Sequence, residues 1–225
     1  MIKGCTAVLI QLIFISIIFA SHATASEDGP AVAKVPHSLT VDEVVLAVEK
    51  HYQQLTDLNA KVSQKNHLKA LGRTQKYEGV LWIKIPGKLR LEYTTGQLIL
   101  ISDKNALFYS KKSEQVIKKN FSDFAQMNIP VAFLLGAAHI RDDFEIRQTG
   151  QKSPYTFELL PRRAGAAMKK LGIQADETGR VRLMIIFDKS GNTTEISFSD
   201  IQEGTGIGDQ LFVFRAPKGA EIIEQ

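Results

Sequence analysis

Histidine is the side chain best suited to proton transfer and metal binding near neutral pH, and the chain has five of them. No two have the spacing of a zinc motif such as H-E-x-x-H. Each is interpreted as a surface or structural histidine, because a catalytic or metal site needs partner residues. We therefore expect no metal and no cofactor. The five are His22, His37, His51, His67 and His139.

Two other patterns suggest chemistry at first sight. Residues 204–208 read GTGIG, but the Lys-Ser/Thr pair of a phosphate-binding loop is missing and no βαβ unit follows, so we interpret them as a flexible connection between strands. Asp142 and Asp143 are adjacent, and adjacent side chains in a strand point to opposite faces, which makes them poor partners for acid-base catalysis. A nucleophile motif of the G-x-S-x-G type is absent as well. The sequence contains no positive indication of an enzyme.

The N-terminus has the pattern of an export signal. Lys3 precedes an apolar run of 14 residues at 7–20, and small residues follow at 23–25. These are the three regions of a cleaved signal peptide, and the run is shorter than the roughly 20 residues that span a bilayer. We predict a signal peptide at residues 1–25, a single domain at 26–225, and a periplasmic location.

Cys5 is the only cysteine, and it precedes the apolar run, whereas a lipidated cysteine would follow it. The mature chain would then have no disulfide and no Cys-based site. The 28 bases and 24 acids give a net charge of +4, and removal of residues 1–25, which contain one base and no acid, leaves +3. This mild excess, without a binding motif, argues against a nucleic-acid partner. The lysines between 104 and 119 are interpreted as solvated hairpin edges, with an anionic membrane or acidic partner as the alternative.

A change of hydrophobic period divides the rest of the chain. Thr40 and Glu43 form a capping box before an apolar period of 3.6, which predicts a helix over about 40–55. Two more helical stretches are predicted from Ser122 and after Pro130. Residues 161–180 are ambiguous. Elsewhere the period is two, with turn residues between the strands, which are predicted at about 58–67, 76–85, 88–93, 97–102, 106–110, 115–118, 143–148, 155–160, 181–188, 193–199 and 210–215.

Strands in blocks with short connections imply antiparallel neighbours and an α+β fold. Strand 88–93 places Leu89, Leu91 and Tyr93 on one face and charges between them, which predicts one face toward the interior and one toward water. A curved sheet with helices on its concave side would bury both the apolar sheet face and the amphipathic helix.

The order of motifs resembles that of the periplasmic outer-membrane lipoprotein carrier family (LolA). Residues 79–93, GVLWIKIPGKLRLEY, are similar to its G-x-L-W-I-K-x-P-x-x-F/L-R-x-x-Y hairpin, and QLILISDK follows at 97–104 as its Q-L-I-x-S-D-G-K does. NIPVAFLLG at 128–136 is similar to its lid helix, and FVFRAPKGAEII at 212–223 to its closing motif. The likeness spans residues 40–223.

This resemblance implies an incomplete, curved antiparallel β-barrel of about 10–11 strands, covered by lid helices around an apolar cavity. The cavity would hold the acyl chains of a lipoprotein between an inner-membrane release complex and an outer-membrane receptor, and the protein is expected to be a monomer. For each wall residue, plain core packing is the alternative. The implied wall residues are Leu81, Ile83, Ile85, Leu89, Leu91, Tyr93, Leu100, Leu134 and Ile196, and the lid residues are Met127, Val131 and Leu134.

Ile85 departs from the family, which usually has an Arg that hydrogen-bonds across the cavity mouth. Isoleucine donates no side-chain hydrogen bond, so lid closure must be apolar or the lid must sit more open. Two alternatives to lipoprotein carriage stay open, and Ile85 makes the first of them harder to exclude. One is a carrier of another periplasmic lipid or glycolipid, and the other is a lipid-sensing regulatory module of the same fold, similar to part of an anti-sigma-factor regulator.

Overall fold

The computed structural model describes residues 38–102, 104–121, 133–135, 140–162 and 168–224. The predicted signal peptide, the lid residues Met127 and Val131, and the helix starts predicted at Ser122 and Pro130 lie outside these ranges.

Strands dominate the described chain. Two helices are α1 (Val41–Gln54) and α2 (Ile140–Asp143), and short 3-10 helices lie at Lys69–Leu71 and Asp209–Phe212. The strands are β1 (Asp57–Leu68), β2 (Arg73–Lys84), β3 (Lys88–Tyr93), β4 (Gln97–Ser102), β5 (Asn105–Ser110), β6 (Gln115–Asn120), β7 (Phe144–Gly150), β8 (Tyr155–Pro161), β9 (Met168–Ala175), β10 (Val181–Asp188), β11 (Thr193–Glu203) and β12 (Glu221–Glu224).

All twelve strands form one sheet in the order β12-β6-β5-β4-β3-β2-β1-β11-β10-β9-β8-β7. Neighbours are antiparallel except β12, which pairs with β6 in parallel. The edge strands β7 and β12 do not pair with each other, so the sheet does not close. This confirms the predicted α+β class with an incomplete, curved antiparallel barrel.

Three sheet details differ from the sequence prediction. β9 lies within the ambiguous residues 161–180, and β12 was not predicted. The strand predicted at 210–215 is wrong, because Asp209–Phe212 is a 3-10 helix. Phe212 is buried and Val213 is 61% exposed, which is the alternation that suggested a strand. It arises because Phe212 packs onto the sheet, and not because the segment pairs with a strand.

Helix α1 forms where the capping box predicted it. The Glu43 amide donates to Thr40 Oγ1 at 3.3 Å, and the Thr40 amide donates to the Glu43 carboxylate at 2.8 Å. Four side chains on one side of the helix are buried in the same apolar cluster as one face of the sheet, which we call the inner face. They are Val44, Val45, Val48 and Tyr52.

The opposite, outer face of β2 to β5 carries a second apolar cluster, in which Leu98 and Leu100 pack with Phe212 from the C-terminal segment 207–214. The sequence pattern predicts that the charges of strand 88–93 face water. In the structure two of them, Lys88 and Arg90, contact the C-terminal segment instead. Arg90 donates to the Leu211 carbonyl at 3.1 Å, and Lys84 and Lys88 both contact the Asp209 carboxylate within 2.9 Å. These contacts attach the C-terminal segment to the outer face.

A buried carboxylate connects this segment to the start of β1. Asp57 is 5% exposed and accepts hydrogen bonds from the Thr205 amide at 2.7 Å, the Thr205 hydroxyl at 2.9 Å and the Gly206 amide at 3.1 Å. Burial opposes ionisation, but these donors outweigh it and hold the pKa of Asp57 below its usual range. The GTGIG connection, predicted to be flexible, is thus a turn whose N–H groups bind an anion supplied by the chain itself.

We expect Asp57→Asn to lower the free energy of unfolding by about 2 to 3 kcal/mol at pH 7, because buried donors lose a charged acceptor. The native pKa is depressed, so the stabilisation is present above the unfolded pKa of about 3.9 and is lost as pH falls through the native value. Urea unfolding at pH 7 and at successively lower pH measures both effects. Asp200→Asn, at an exposed pair with Lys61, is the control and should change stability by less than about 1 kcal/mol. Equal effects of the two substitutions would contradict the role given to Asp57.

Candidate functional site

The inner face of β2 to β5 contains a fully buried row of apolar side chains. The register pairs Ile83 with Leu89, Leu89 with Ile101, and Ile101 with Ala106, so these four side chains share one face. Each is at most 1% exposed. This row forms the floor of the candidate site.

The next row on the same face is apolar but only partly covered. Leu81 on β2 is buried. Its successive partners on β3 to β6 are half-buried, and they are Leu91, Ile99, Phe108 and Ile117. We call these four residues the open row. An apolar row that is partly exposed beside a fully buried one provides a surface on which an apolar ligand can displace water.

Part of the inner face is covered by helical residues. Val44, Val45 and Val48 of α1 are buried in the inner cluster, and so are Phe133, Leu134 and Leu135. The rings of Tyr52 and Phe133 lie 5.8 Å apart, which connects α1 to the 133–135 segment. Residues 133–135 are the described part of the predicted lid helix, and Leu134 is the one predicted lid residue among them.

The open row gives way to polar residues toward the β1–β2 turn. Tyr93 shares the inner face with Gly79, its partner on β2, but its hydroxyl donates to the Gln64 side chain and its ring lies 5.8 Å from Tyr77. Burial raises the pKa of Tyr93 to about 12, so its hydroxyl stays protonated and acts as a donor. The apolar surface therefore ends at a hydrogen-bonded tyrosine pair.

Most of the predicted wall residues lie on the inner face, including Leu81, Ile83, Leu89 and Leu134 in the buried cluster. Ile85, Leu91 and Ile196 are half-buried and pack against the same cluster. Their predicted contact with lipid remains a prediction.

Leu100 does not lie with the other predicted wall residues. It is 5% exposed and packs on the outer face with Phe212. In QLILIS both residue parities are apolar, so the period of two could not assign Leu100 to a face. For the same reason sequence reasoning missed Ile99 and Phe108, which do lie on the inner face.

The outer face has an open groove of about 460 Å³ between β4 to β6 and the C-terminal segment. Leu100, Leu107 and Phe214 contribute its apolar lining, and Lys118 and Glu224 form an ion pair at 3.1 Å within it. The lining of this groove is mixed, because Ser102, Asn105 and Lys119 also contribute to it, whereas the open row consists of apolar side chains alone.

The described ranges contain no group of three or more His, Cys, Asp or Glu arranged to hold a metal ion. No helix within them is long and apolar enough to cross a membrane. An open antiparallel sheet with a partly accessible apolar inner face is the arrangement expected of a protein that binds apolar ligands.

Comparison with known proteins gives the family. A model of the outer membrane lipoprotein carrier protein LolA matches residues 53–215, and the chain belongs to this family, as its motifs indicated. It is 28% identical over 155 residues to an outer-membrane lipoprotein carrier protein of Methylococcus capsulatus, covering 67% of this chain and 73% of the relative. A relative of the same name from Nitrosomonas europaea is 28% identical over 152 residues, covering 66% and 73%. The crystal structure of an uncharacterized conserved protein from Thermus thermophilus has the same fold, with a TM-score of 0.52 and 14% identity over 82% of this chain and 98% of that chain.

Gly79 allows β3 to approach the polar end of the site. A Cβ atom at this position would lie 2.4 Å from the Glu92 carbonyl oxygen, which belongs to the backbone and cannot move aside. We expect Gly79→Ala to lower the free energy of unfolding by about 2 kcal/mol, within the range for overpacking. Gly172→Ala is the matched control, because its added Cβ would be 3.6 Å from the Ile185 side chain. Urea unfolding of both variants checks this expectation, and a loss for the control as large as for Gly79→Ala would refute it.

Proposed function

We propose that the protein is a periplasmic carrier that binds the acyl chains of lipoproteins on its inner face and carries them from the inner to the outer membrane. Family membership supports carriage of lipoproteins, and the export signal predicted at residues 1–25 supports the compartment. The partners in this proposal are an inner-membrane release complex and an outer-membrane receptor.

The single observation that carries the proposal is the open row. A sheet used only for core packing would cover Leu91, Ile99 and Phe108 as completely as it covers Ile83 and Leu89. A contiguous apolar row that is partly accessible to water is the kind of surface that marks a binding site. Acyl chains match this surface because they are extended, apolar and unable to use hydrogen-bonding groups.

Energetics favour partial rather than complete burial of the acyl chains. Each buried methylene contributes about 0.8 kcal/mol, so three long chains fully buried would exceed the ceiling of about 20 kcal/mol for noncovalent binding. Such a complex would not release its cargo. A cover of α1 and the 133–135 segment that competes with the chains for the same wall would keep the affinity within a range that permits transfer.

Ile85 fits an apolar mode of closure. It is half-buried and packs against the inner cluster, and its side chain has no hydrogen-bond donor. In this proposal Ile85 contributes only apolar contact to closure, whereas α1 is also attached by polar contacts, of His51 with Glu203 at 3.1 Å and of Arg141 with Asp42 at 3.2 Å.

Native mass spectrometry of the protein purified from the periplasm tests the nature of the cargo. A co-purified triacylated protein supports lipoprotein carriage. A free lipid or glycolipid would favour the alternative carrier function, and repeated purification without any apolar ligand would count against both.

Leu91→Asp tests the open row directly. We expect at least about tenfold weaker binding of a triacylated lipopeptide, because an apolar contact is lost and a carboxylate must be desolvated. Displacement of a fluorescent fatty acid measures the affinity, and circular dichroism checks the fold. Leu107→Asp is the matched control, since Leu107 is also half-buried but lies on the outer face. If both variants bind the lipopeptide as the wild type does, the inner face is not the binding wall.

A further inference from the structure

We propose that the tip of the β1–β2 hairpin, residues 63–77, docks reversibly on an anionic lipid surface. In this interaction Leu71 enters the headgroup layer and the surrounding cations contact lipid phosphates. We call residues 63–77 the hairpin tip. The proposal concerns how the protein meets a membrane and does not depend on the nature of the cargo.

The hairpin tip projects beyond the neighbouring strand β3. The pairing of β2 with β3 runs only from Gly79 to Lys84, and the turn after β3 ends where the Thr94 amide donates to the Glu78 carbonyl at 2.9 Å. Residues 73–77 therefore extend past β3 by about 16 Å, at the usual rise of about 3.3 Å per residue. The side chains of residues 73–76 are exposed.

The apex of the hairpin tip presents an apolar side chain within a basic surface. Leu71 is 65% exposed. A single exposed leucine is ordinary on a protein surface, but the charges around this one are not. The hairpin tip contains four cations and no carboxylate, although the whole chain has 28 bases and 24 acids.

Three of these four cations are available to a partner. Lys65 forms an ion pair with Glu195 at 2.7 Å. Lys69, Arg73 and Lys76 are exposed, and within the described ranges none of them pairs with a carboxylate. An anionic surface can therefore contact them without breaking an existing ion pair.

The apex is held in place by the adjacent β10–β11 turn. The Lys69 amide donates to the Asn192 side-chain oxygen at 3.1 Å, and Asn192 in turn donates to the Asp188 carboxylate at 2.7 Å. Gly72 closes the apex with a φ of 57°, in the left-handed region that favours glycine. This bracing holds the backbone of the apex in place, and Leu71 is exposed on it.

A lipid surface fits the hairpin tip better than a folded acidic protein does. The tip is a protrusion with one apolar side chain at its apex, and a headgroup layer deforms to admit such a side chain, whereas a protein would need a matching pocket. Each cation near an anionic membrane strengthens binding by about fivefold. Three cations and one leucine give weak and reversible binding, which is sensitive to salt.

Co-sedimentation of the protein purified from the periplasm with lipid vesicles tests the proposal. The vesicles contain either phosphatidylglycerol with phosphatidylcholine or phosphatidylcholine alone. We expect binding to the anionic vesicles that weakens as salt is raised. Lys69→Gln/Arg73→Gln/Lys76→Gln should weaken this binding by roughly 100-fold, and Leu71→Ser by about tenfold.

The control removes the same charge from other exposed positions, by Lys50→Gln/Lys152→Gln/Lys218→Gln, and should retain binding. Equal losses in the two triple variants would indicate a general charge effect and overturn the proposal. Failure of the wild type to bind anionic vesicles would overturn it as well and leave an acidic protein as the partner. Lipopeptide capture in solution should be unchanged in the tip variants, which separates this result from the cargo function.

Discussion

Apolar side chains on both faces of β2 to β5 are the constraint on which the rest of the structure depends. Water must be excluded from both faces, and a sheet cannot do this alone. Helix α1 and the 133–135 segment cover the inner face, and the C-terminal segment 207–214 covers the outer face. This part of the protein therefore has three layers, with the sheet in the middle.

The outer layer is attached by polar contacts because it forms no sheet ladder. The contacts with Lys84 and Lys88 lower the pKa of Asp209 to about 2. Asp209 is 66% exposed, however, so water screens these contacts and they contribute little to the stability of the fold. The Asp57 carboxylate is buried and satisfied by three donors, and it contributes more.

Local periodicity explains what could be predicted from the sequence. Helix α1 and most strands follow from capping residues, alternation and turn composition, all of which act over a few residues. The faces of β4 and β5 could not be assigned, because residues 98–101 and 106–109 are apolar at every position and alternation carries no information there. The Asp57 contact could not be predicted either, since it joins residues 148 apart along the chain. Leu100 was misplaced and Ile99 missed by the same lack of local signal.

The gradient of exposure across the inner face is what gives a carrier role its physical basis. A wall as buried as Ile83 and Leu89 has no remaining water to release, so a ligand would gain nothing there without unfolding the core. A wall fully open to water would bind acyl chains too tightly to give them up, and would favour aggregation. The open row lies between these limits, so a ligand gains only the part of the apolar area that is still wet. In the proposed function, the affinity would be set by how much of that area the cover gives up, and a receiving site would need only a modestly more apolar surface to draw the ligand away.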